Sequence, residues 1–158
     1  MSELFERILL PVVSESDAKA TARSVTRYLG PVDRIVAVHV IEKAGGAPDK
    51  AGVEQREAYA GAVFEVVREA LDNVETDLRF DTDVNDAIFA AAAEHGATAI
   101  VFTPRGGSRW LRLLTGDVTL NLVTETDRPV VVLPDLEVAT GESDDSDGES
   151  TAEYDTPP

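Results

Sequence analysis

The sequence predicts one α/β domain: an open sheet of five parallel or mostly parallel strands, Rossmann-like, with helices on both faces. Three observations carry this. Short, nearly continuous apolar runs recur along the chain, as strands buried on both faces require. Segments with helical apolar spacing separate them, and strand–helix alternation builds parallel sheets. The last two dozen residues have the composition of solvated chain, which sets the domain at 1–134 and an acidic, disordered tail at 135–158.

The first strand is Arg7 to Val13, with Ile8-Leu9-Leu10-Pro11-Val12-Val13 apolar throughout. Ser14 followed by Asp17 reads as a helix start, Ala18, Ala22, Val25 and Leu29 repeat at helical spacing, and Gly30-Pro31 ends the helix. Ile35 to Ile41 is a second buried strand, and Ala44-Gly45-Gly46-Ala47-Pro48 a loop. A long helix follows over 51–72, with Tyr59, Val63, Val66, Val67 and Ala70 expected on its inner face. Thr76 to Asp81 alternates, Leu78 and Phe80 against charged neighbours, which predicts a half-buried strand near an edge. Thr82 or Asp83 caps a helix carrying Val84, Ala87, Ile88, Ala91 and Ala92, and Gly96 ends it. Thr98 to Phe102 is a buried strand. A basic loop, 104–112, a helix around Val118 to Thr126 and the strand Pro129 to Leu133 complete the domain.

Composition removes several function classes. The 158 residues contain 14 Lys+Arg, 30 Asp+Glu, two His and no Cys, a formal charge of −16. Without cysteine there is no disulfide framework, thiol nucleophile or Cys-ligated metal, and two isolated His make no His-rich site. The charge opposes nucleic-acid binding, which needs cations for the phosphates. The apolar run Ile8-Leu9-Leu10 is far too short for a signal peptide or a membrane span, so a cytoplasmic protein without membrane insertion is expected. Nine acids and no base fall in 135–158, leaving 21 acids against 14 bases in the body, only three of them Lys. Such a surface suits molar salt, where the Debye length is about 3 Å and like charges repel little.

From Phe102 the chain reads Phe-Thr-Pro-Arg-Gly-Gly-Ser-Arg-Trp-Leu-Arg-Leu-Leu-Thr-Gly-Asp-Val-Thr, and it later closes on Arg128-Pro129-Val130-Val131-Val132-Leu133-Pro134. With Ile8-Leu9-Leu10-Pro11, Val38-His39-Val40-Ile41 and a helix before Ala99-Ile100-Val101, this order of pieces over residues 5–134 resembles the universal stress protein family, in a halophilic, haloarchaeal-type form. The resemblance implies an adenine-nucleotide-type α/β fold and a role in stress response. Nucleotide-binding members hold phosphates on a Gly-x2-Gly-x9-Gly-[Ser/Thr] loop. They hold ribose and metal through an Asp two residues after the first-strand Pro, and adenine at the position of Val40.

Carried over residue by residue, the nucleotide or anion site comprises Pro11, Val12, Val13, Val40, Thr103, Arg105, Gly106, Gly116, Asp117, Val118 and Thr119. Gly106 and Gly116 keep the family spacing, and three positions depart from it. Thr103 replaces the first Gly and, before Pro104, favours an extended backbone. Asp117 replaces the Ser/Thr and brings a negative charge to the phosphate end of a helix, a repulsion of roughly 1–4 kcal/mol at about 4 Å. Val13 replaces the Asp and removes a carboxylate from the ribose and metal. The motif is therefore a degenerate form of the ATP-binding one.

Arg105, Arg109 and Arg112 beside Gly106-Gly107 read either as an anion nest or as surface arginines paired with an acidic body. His39, among Val and Ile, reads as a buried, hydrogen-bonded core residue rather than a base, and His95 as a helix-end dipole partner and nothing more. Trp110 with Leu111, Leu113 and Leu114 is core packing or a partner surface. Asp144-Asp145-Ser146-Asp147 lacks the spacing of a calcium loop, and no metal site is expected.

The expected function is a regulatory binding module that works through a small ligand or a protein partner, with no catalytic residues. The alternatives are an ATP or AMP binder with slow or no hydrolysis, and a soluble partner of a membrane transporter. Val130, Val131, Val132 and Leu133 are uniformly apolar and so expected to be covered on both faces. As the last strand of an open sheet they are also an expected edge, and self-pairing there would make a homodimer.

Overall fold

In the computed structural model, residues 3–43, 50–103 and 122–136 are described. After a single 3-10 turn at Glu3–Phe5, the elements run β1 (Arg7–Pro11), α1 (Glu15–Tyr28), β2 (Arg34–Glu42), α2 (Lys50–Ala70), β3 (Val74–Asp81), α3 (Val84–Glu94), β4 (Ala99–Phe102) and β5 (Val130–Val132). The five strands form one sheet in the order β3-β2-β1-β4-β5. Every neighbouring pair is parallel. The fold is the expected α/β class.

This order fixes the faces. The chain steps from β1 to β2 to β3 in one direction, then returns past β1 to β4. Right-handed crossovers therefore put α1 and α2 on one face and α3 on the other. Val12, Ala18 and Ala37 pack with Ala60, Val63, Phe64 and Val67 of α2 on the first face. Leu9, Val36, Val38, Ile100 and Phe102 pack with Ile88, Ala91 and Ala92 of α3 and with Leu122 on the second. Strand β1 is central and its residues Ile8 to Pro11 are buried.

Local chemistry sets the helix limits. Ser14 Oγ accepts from Asp17 N at 3.1 Å to cap α1, and Asp83 Oδ1 accepts from Asp86 N at 3.1 Å to cap α3. Gly30 and Gly96 follow the two helices with φ of 66° and 62°, the left-handed conformation in which a Cβ is strained.

Several expectations are corrected. The inner face of α2 is Ala60, Val63, Phe64 and Val67, whereas Tyr59 and Ala70 are exposed and Val66 is half-buried. The i, i+3, i+4, i+7 rule still holds, one residue further along the helix, because Tyr59 lies at the rim. The β5 run is not covered on both faces. Val130 and Val131 are half-buried, and Val132, at the sheet edge, is 49% exposed. Leu133 alone of the four is buried. The strand 76–81 does lie at an edge as expected, and begins two residues earlier. The tip of the expected helix 118–126 is visible as helical residues 122–124, while its start falls outside the described residues. Pro134 O, at the end of the expected domain, accepts from Ser24 Oγ at 2.8 Å; of the segment expected as tail, Asp135 is buried and residues 137–158 lie outside the described residues.

The approach to β5 is pinned by one side chain. Arg128 Nη1 donates to Ala92 O at 2.8 Å and to Ala97 O at 2.9 Å, tying the turn before β5 to the end of α3. Charged donors to buried carbonyls are the stronger hydrogen bonds of a fold. Arg128→Ala is expected to lower stability by about 1–3 kcal/mol in urea unfolding. A change below about 0.5 kcal/mol would mean that the carbonyls are as well served by water.

Candidate functional site

In a doubly wound sheet, ligands sit beyond the carboxyl ends of the strands, where the strand order reverses. Here the reversal lies between β1 and β4, so the site is built on the exits of β1, β2 and β4.

The exit of β1 is held by side chains from three elements. Val12 N donates to Val38 O at 2.9 Å, which extends the ladder one residue past β1. His39 Nδ1 lies 2.8 Å from Val12 O. A carbonyl only accepts, so Nδ1 carries a proton, and in the neutral ring Nε2 is left as an acceptor. Val13 N donates to Asp17 Oδ2 at 2.9 Å, and Val13 O accepts from Tyr59 Oη at 3.2 Å. Asp17 is 1% exposed, and its Oδ1 accepts from Thr21 Oγ1 at 3.5 Å. A carboxylate in the first turn of a helix is favoured by the free N–H groups there. Sequence reasoning missed Asp17 and Tyr59. The signal was present for Asp17, since Asp17, Thr21 and Ser24 recur at helical spacing and all three are buried.

The expected site residues divide into two groups. Pro11 and Val12 are buried, Val13 is half-buried at the turn, and Val40 is half-buried on β2, packed against the α3-side cluster. Thr103, one residue past β4, is fully buried, and its Oγ1 takes no partner among the described residues. Asn85 Oδ1, in the first turn of α3, is the other buried side-chain oxygen without a partner among the described residues. Each such orphan costs about 1–3 kcal/mol unless something fills the gap. The structure thus brings Pro11, Val12, Val13, Val40 and Thr103 to the carboxyl end of the sheet. Arg105, Gly106, Gly116, Asp117, Val118 and Thr119, like Arg109, Trp110 and Arg112, lie outside the described residues.

A cavity of about 500 Å³ opens on the other side of β2, lined by His39, Ile41, Glu42, Gln55, Arg56 and Tyr59. His39 is the expected buried, bonded core residue, 8% exposed, with its ring 5.9 Å from that of Tyr59 and edge-on to Phe64 at 6.4 Å.

His95 does more than end a helix. Its Nε2 is 2.8 Å from Asp77 Oδ2, and Arg79 Nη2 bonds the same oxygen at 2.8 Å and also Glu94. The expectation of a simple dipole partner is corrected: β3 brings Asp77 and Arg79 under the end of α3, a long-range placement that spacing alone does not show. Burial raises the Asp77 carboxyl, and the hydrogen bonds from Arg79 and His95 outweigh it, so its pKa falls below the ordinary value. Among the described residues, no group of three or more His, Cys, Asp or Glu side chains could hold a metal ion, and no helix is long and apolar enough to cross a membrane.

The sequence pattern of the universal stress protein family matches residues 4–134. Solved structures are similar too. A universal stress protein from Archaeoglobus fulgidus, in complex with dAMP, is 20% identical with a TM-score of 0.58, covering 82% of this chain and 98% of that one. Universal stress protein UspA from Lactobacillus plantarum is 21% identical with a TM-score of 0.60, covering 82% and 97%. A universal stress protein in complex with cAMP is 16% identical with a TM-score of 0.56, covering 81% and 95%. These identities speak to the fold. No curated protein matches the chain.

A folded-state pKa below the unfolded one gives stability that is present above the unfolded pKa and lost as pH falls through the folded one. Asp77→Asn is therefore expected to lower stability at neutral pH and to flatten the acid limb of the stability profile below about pH 4. Unfolding curves of the two proteins that stay parallel from neutral pH into the acid limb would refute this role for Asp77.

Proposed function

The chain belongs to the universal stress protein family, and we propose that it serves there as a regulatory binding module that does not turn over Mg-ATP. The observation that carries this reading is the exit of β1. Where nucleotide-binding relatives place a carboxylate, this chain has Val13, and the backbone N–H and C=O of Val13 are taken by Asp17 and Tyr59. The residues there supply an apolar, braced turn and not a ligand for ribose or metal. By the sequence resemblance alone, Asp117 stands where the family's phosphate loop has Ser or Thr, and a charge there opposes a triphosphate. No catalytic residue is assigned. The acidic surface fits a cytoplasm of molar salt, and the output of the module is a protein partner, a membrane transporter included.

A second reading, an adenosine monophosphate binder without metal, is favoured by Thr103. Its buried hydroxyl, without a partner among the described residues, lies at the strand-order reversal, where a ligand donor or acceptor would satisfy it. The complexes of relatives with dAMP and cAMP support the same class of ligand.

Calorimetric titration at molar KCl separates the readings. ATP with Mg²⁺ is expected to bind no tighter than about 100 μM, roughly −5.5 kcal/mol. AMP binding that is tighter than ATP binding and insensitive to Mg²⁺ selects the second reading. Mg-ATP binding tighter than that limit overturns the first.

The module is further proposed to act as a homodimer through β5, whose outer edge has no strand partner among the described residues and which displays Val132. Val131 packs against the α1-side core, so the cleaner probe is Val132→Lys. The wild type is expected to scatter light as a dimer at molar KCl and micromolar concentration, and Val132→Lys as a monomer. A monomeric wild type under those conditions refutes the dimer.

A further inference from the structure

We propose that the cavity between β2 and α2 is a second binding site, distinct from the Val40 side of the sheet, and that it takes a free aromatic amino acid whose ring carries an N–H or O–H donor. The cavity lies on the opposite side of the sheet from Val40, since His39 and Ile41 alternate with it along β2. Its volume, about 500 Å³, is that of a small-molecule site and not of a packing defect.

The lining matches such a ligand group by group. At the inner end, His39 is more than nine-tenths buried, and its Nδ1 proton is spent on Val12 O. Its Nε2 takes no partner among the described residues, and in the neutral ring it only accepts. An acceptor on a residue that lines the cavity favours a ligand with a ring donor over one without. Ile41 and the ring of Tyr59 provide apolar and aromatic walls beside it, where a planar ring gains dispersion and edge or offset stacking. The Tyr59 hydroxyl is already committed to Val13 O, so it leaves the ring as the wall.

At the outer end the polar groups come as donor and acceptor together. Arg56 spends Nη1 on Glu42 O, at 3.3 Å, and makes no other polar contact among the described residues. Its remaining N–H groups suit a carboxylate. The second lone pair of Glu42 O and the amide oxygen of Gln55 suit an ammonium. His39 and Glu42 are three residues apart on β2, so the two ends are separated by roughly 10 Å of strand. A zwitterionic head, an apolar ring and a donor at the far tip fit that order. A simple aromatic acid leaves the acceptors at the mouth unused, and an aliphatic amino acid leaves Nε2 unused.

The test uses the full chain at molar KCl, titrated with L-tryptophan. It is read at the His39 ring nitrogens in long-range ¹H–¹⁵N spectra and by calorimetry. The expected result is a saturable shift at His39 Nε2. L-Phenylalanine, which lacks the ring donor, and indole-3-propionate, which lacks the ammonium, are each expected to bind about tenfold more weakly. Arg56 is exposed, so Arg56→Ala is expected to fold normally and to weaken L-tryptophan binding about tenfold or more. Excess AMP is expected to leave the L-tryptophan affinity unchanged. The proposal is overturned by no saturable shift up to about 10 mM, which is weaker than about −2.7 kcal/mol. It is equally overturned by equal affinities for the three probes, by an Arg56→Ala chain that binds L-tryptophan as well as the wild type, or by displacement with AMP.

Discussion

The bracing of two residues, Val12 and Val13, is the constraint from which the rest of the site follows. Strand β1 is central in the sheet, so its exit must turn over a core packed on both faces. The backbone groups there are buried or half-buried and need partners. Asp17 from α1, His39 from β2 and Tyr59 from α2 supply them. Each bond also does something for its donor or acceptor. Between them they hold the Asp17 carboxylate at a helix start, fix the proton of His39, and keep the ring of Tyr59 beside that of His39 as a wall of the cavity. The turn is closed by the protein itself, so its polar backbone groups are already spent on side chains of the same chain.

Sequence reasoning reaches the fold because the apolar periods are strong. Ile8 to Val12 and Ile35 to Ile41 are apolar enough to be buried strands whatever their neighbours, and the Ser14 and Asp83 caps mark helix starts locally. It falters where a residue's role depends on tertiary placement. Tyr59 and Val63 share helical spacing, yet one is 44% exposed and the other buried, because the sheet ends beneath Tyr59. His95 looks unremarkable beside Gly96 until β3 carries Asp77 to it. The apolar run Val130 to Val132 does not show that Val132 stays half exposed, since that depends on what packs beside β5. Of the expected site, Pro11, Val12, Val13, Val40 and Thr103 are brought together at the carboxyl end of the sheet, whereas Asp17, Arg56 and Tyr59 emerge only from three-dimensional contacts.

The charge distribution follows the same logic of placement over number. With 30 acids and 14 Lys+Arg, most acids have no cation to meet. The exposed pairs Arg34–Glu75 and Arg68–Glu65 contribute little, and less in salt. The more enclosed arginines matter more. Arg79 joins β3 to the end of α3 through Asp77 and Glu94, and Arg128 gives two hydrogen bonds to backbone carbonyls. These join secondary structures that no strand ladder connects. A protein with few cations gains most where one guanidinium fork satisfies several acceptors at once.

The two-residue period of β2 decides how much one short segment can host. Successive side chains of a strand face opposite sides, so Val40 serves the α3 side while His39 and Ile41 serve the α2 side. One strand end thus borders two separate environments: an apolar edge beside the buried hydroxyl of Thr103, and a cavity with a buried imidazole and an exposed guanidinium. The Val12–Val13 turn stands between them and uses its polar groups toward the α1 and α2 side. A side chain on the cavity face can therefore change without altering the turn, so long as the His39 bond to Val12 and the Tyr59 bond to Val13 are kept. His39 and Tyr59 are common to both: Nδ1 and the phenol hydroxyl belong to the turn, Nε2 and the phenol ring to the cavity. Replacing His39 removes a support of the turn together with an acceptor of the cavity, whereas replacing Arg56 touches the cavity alone.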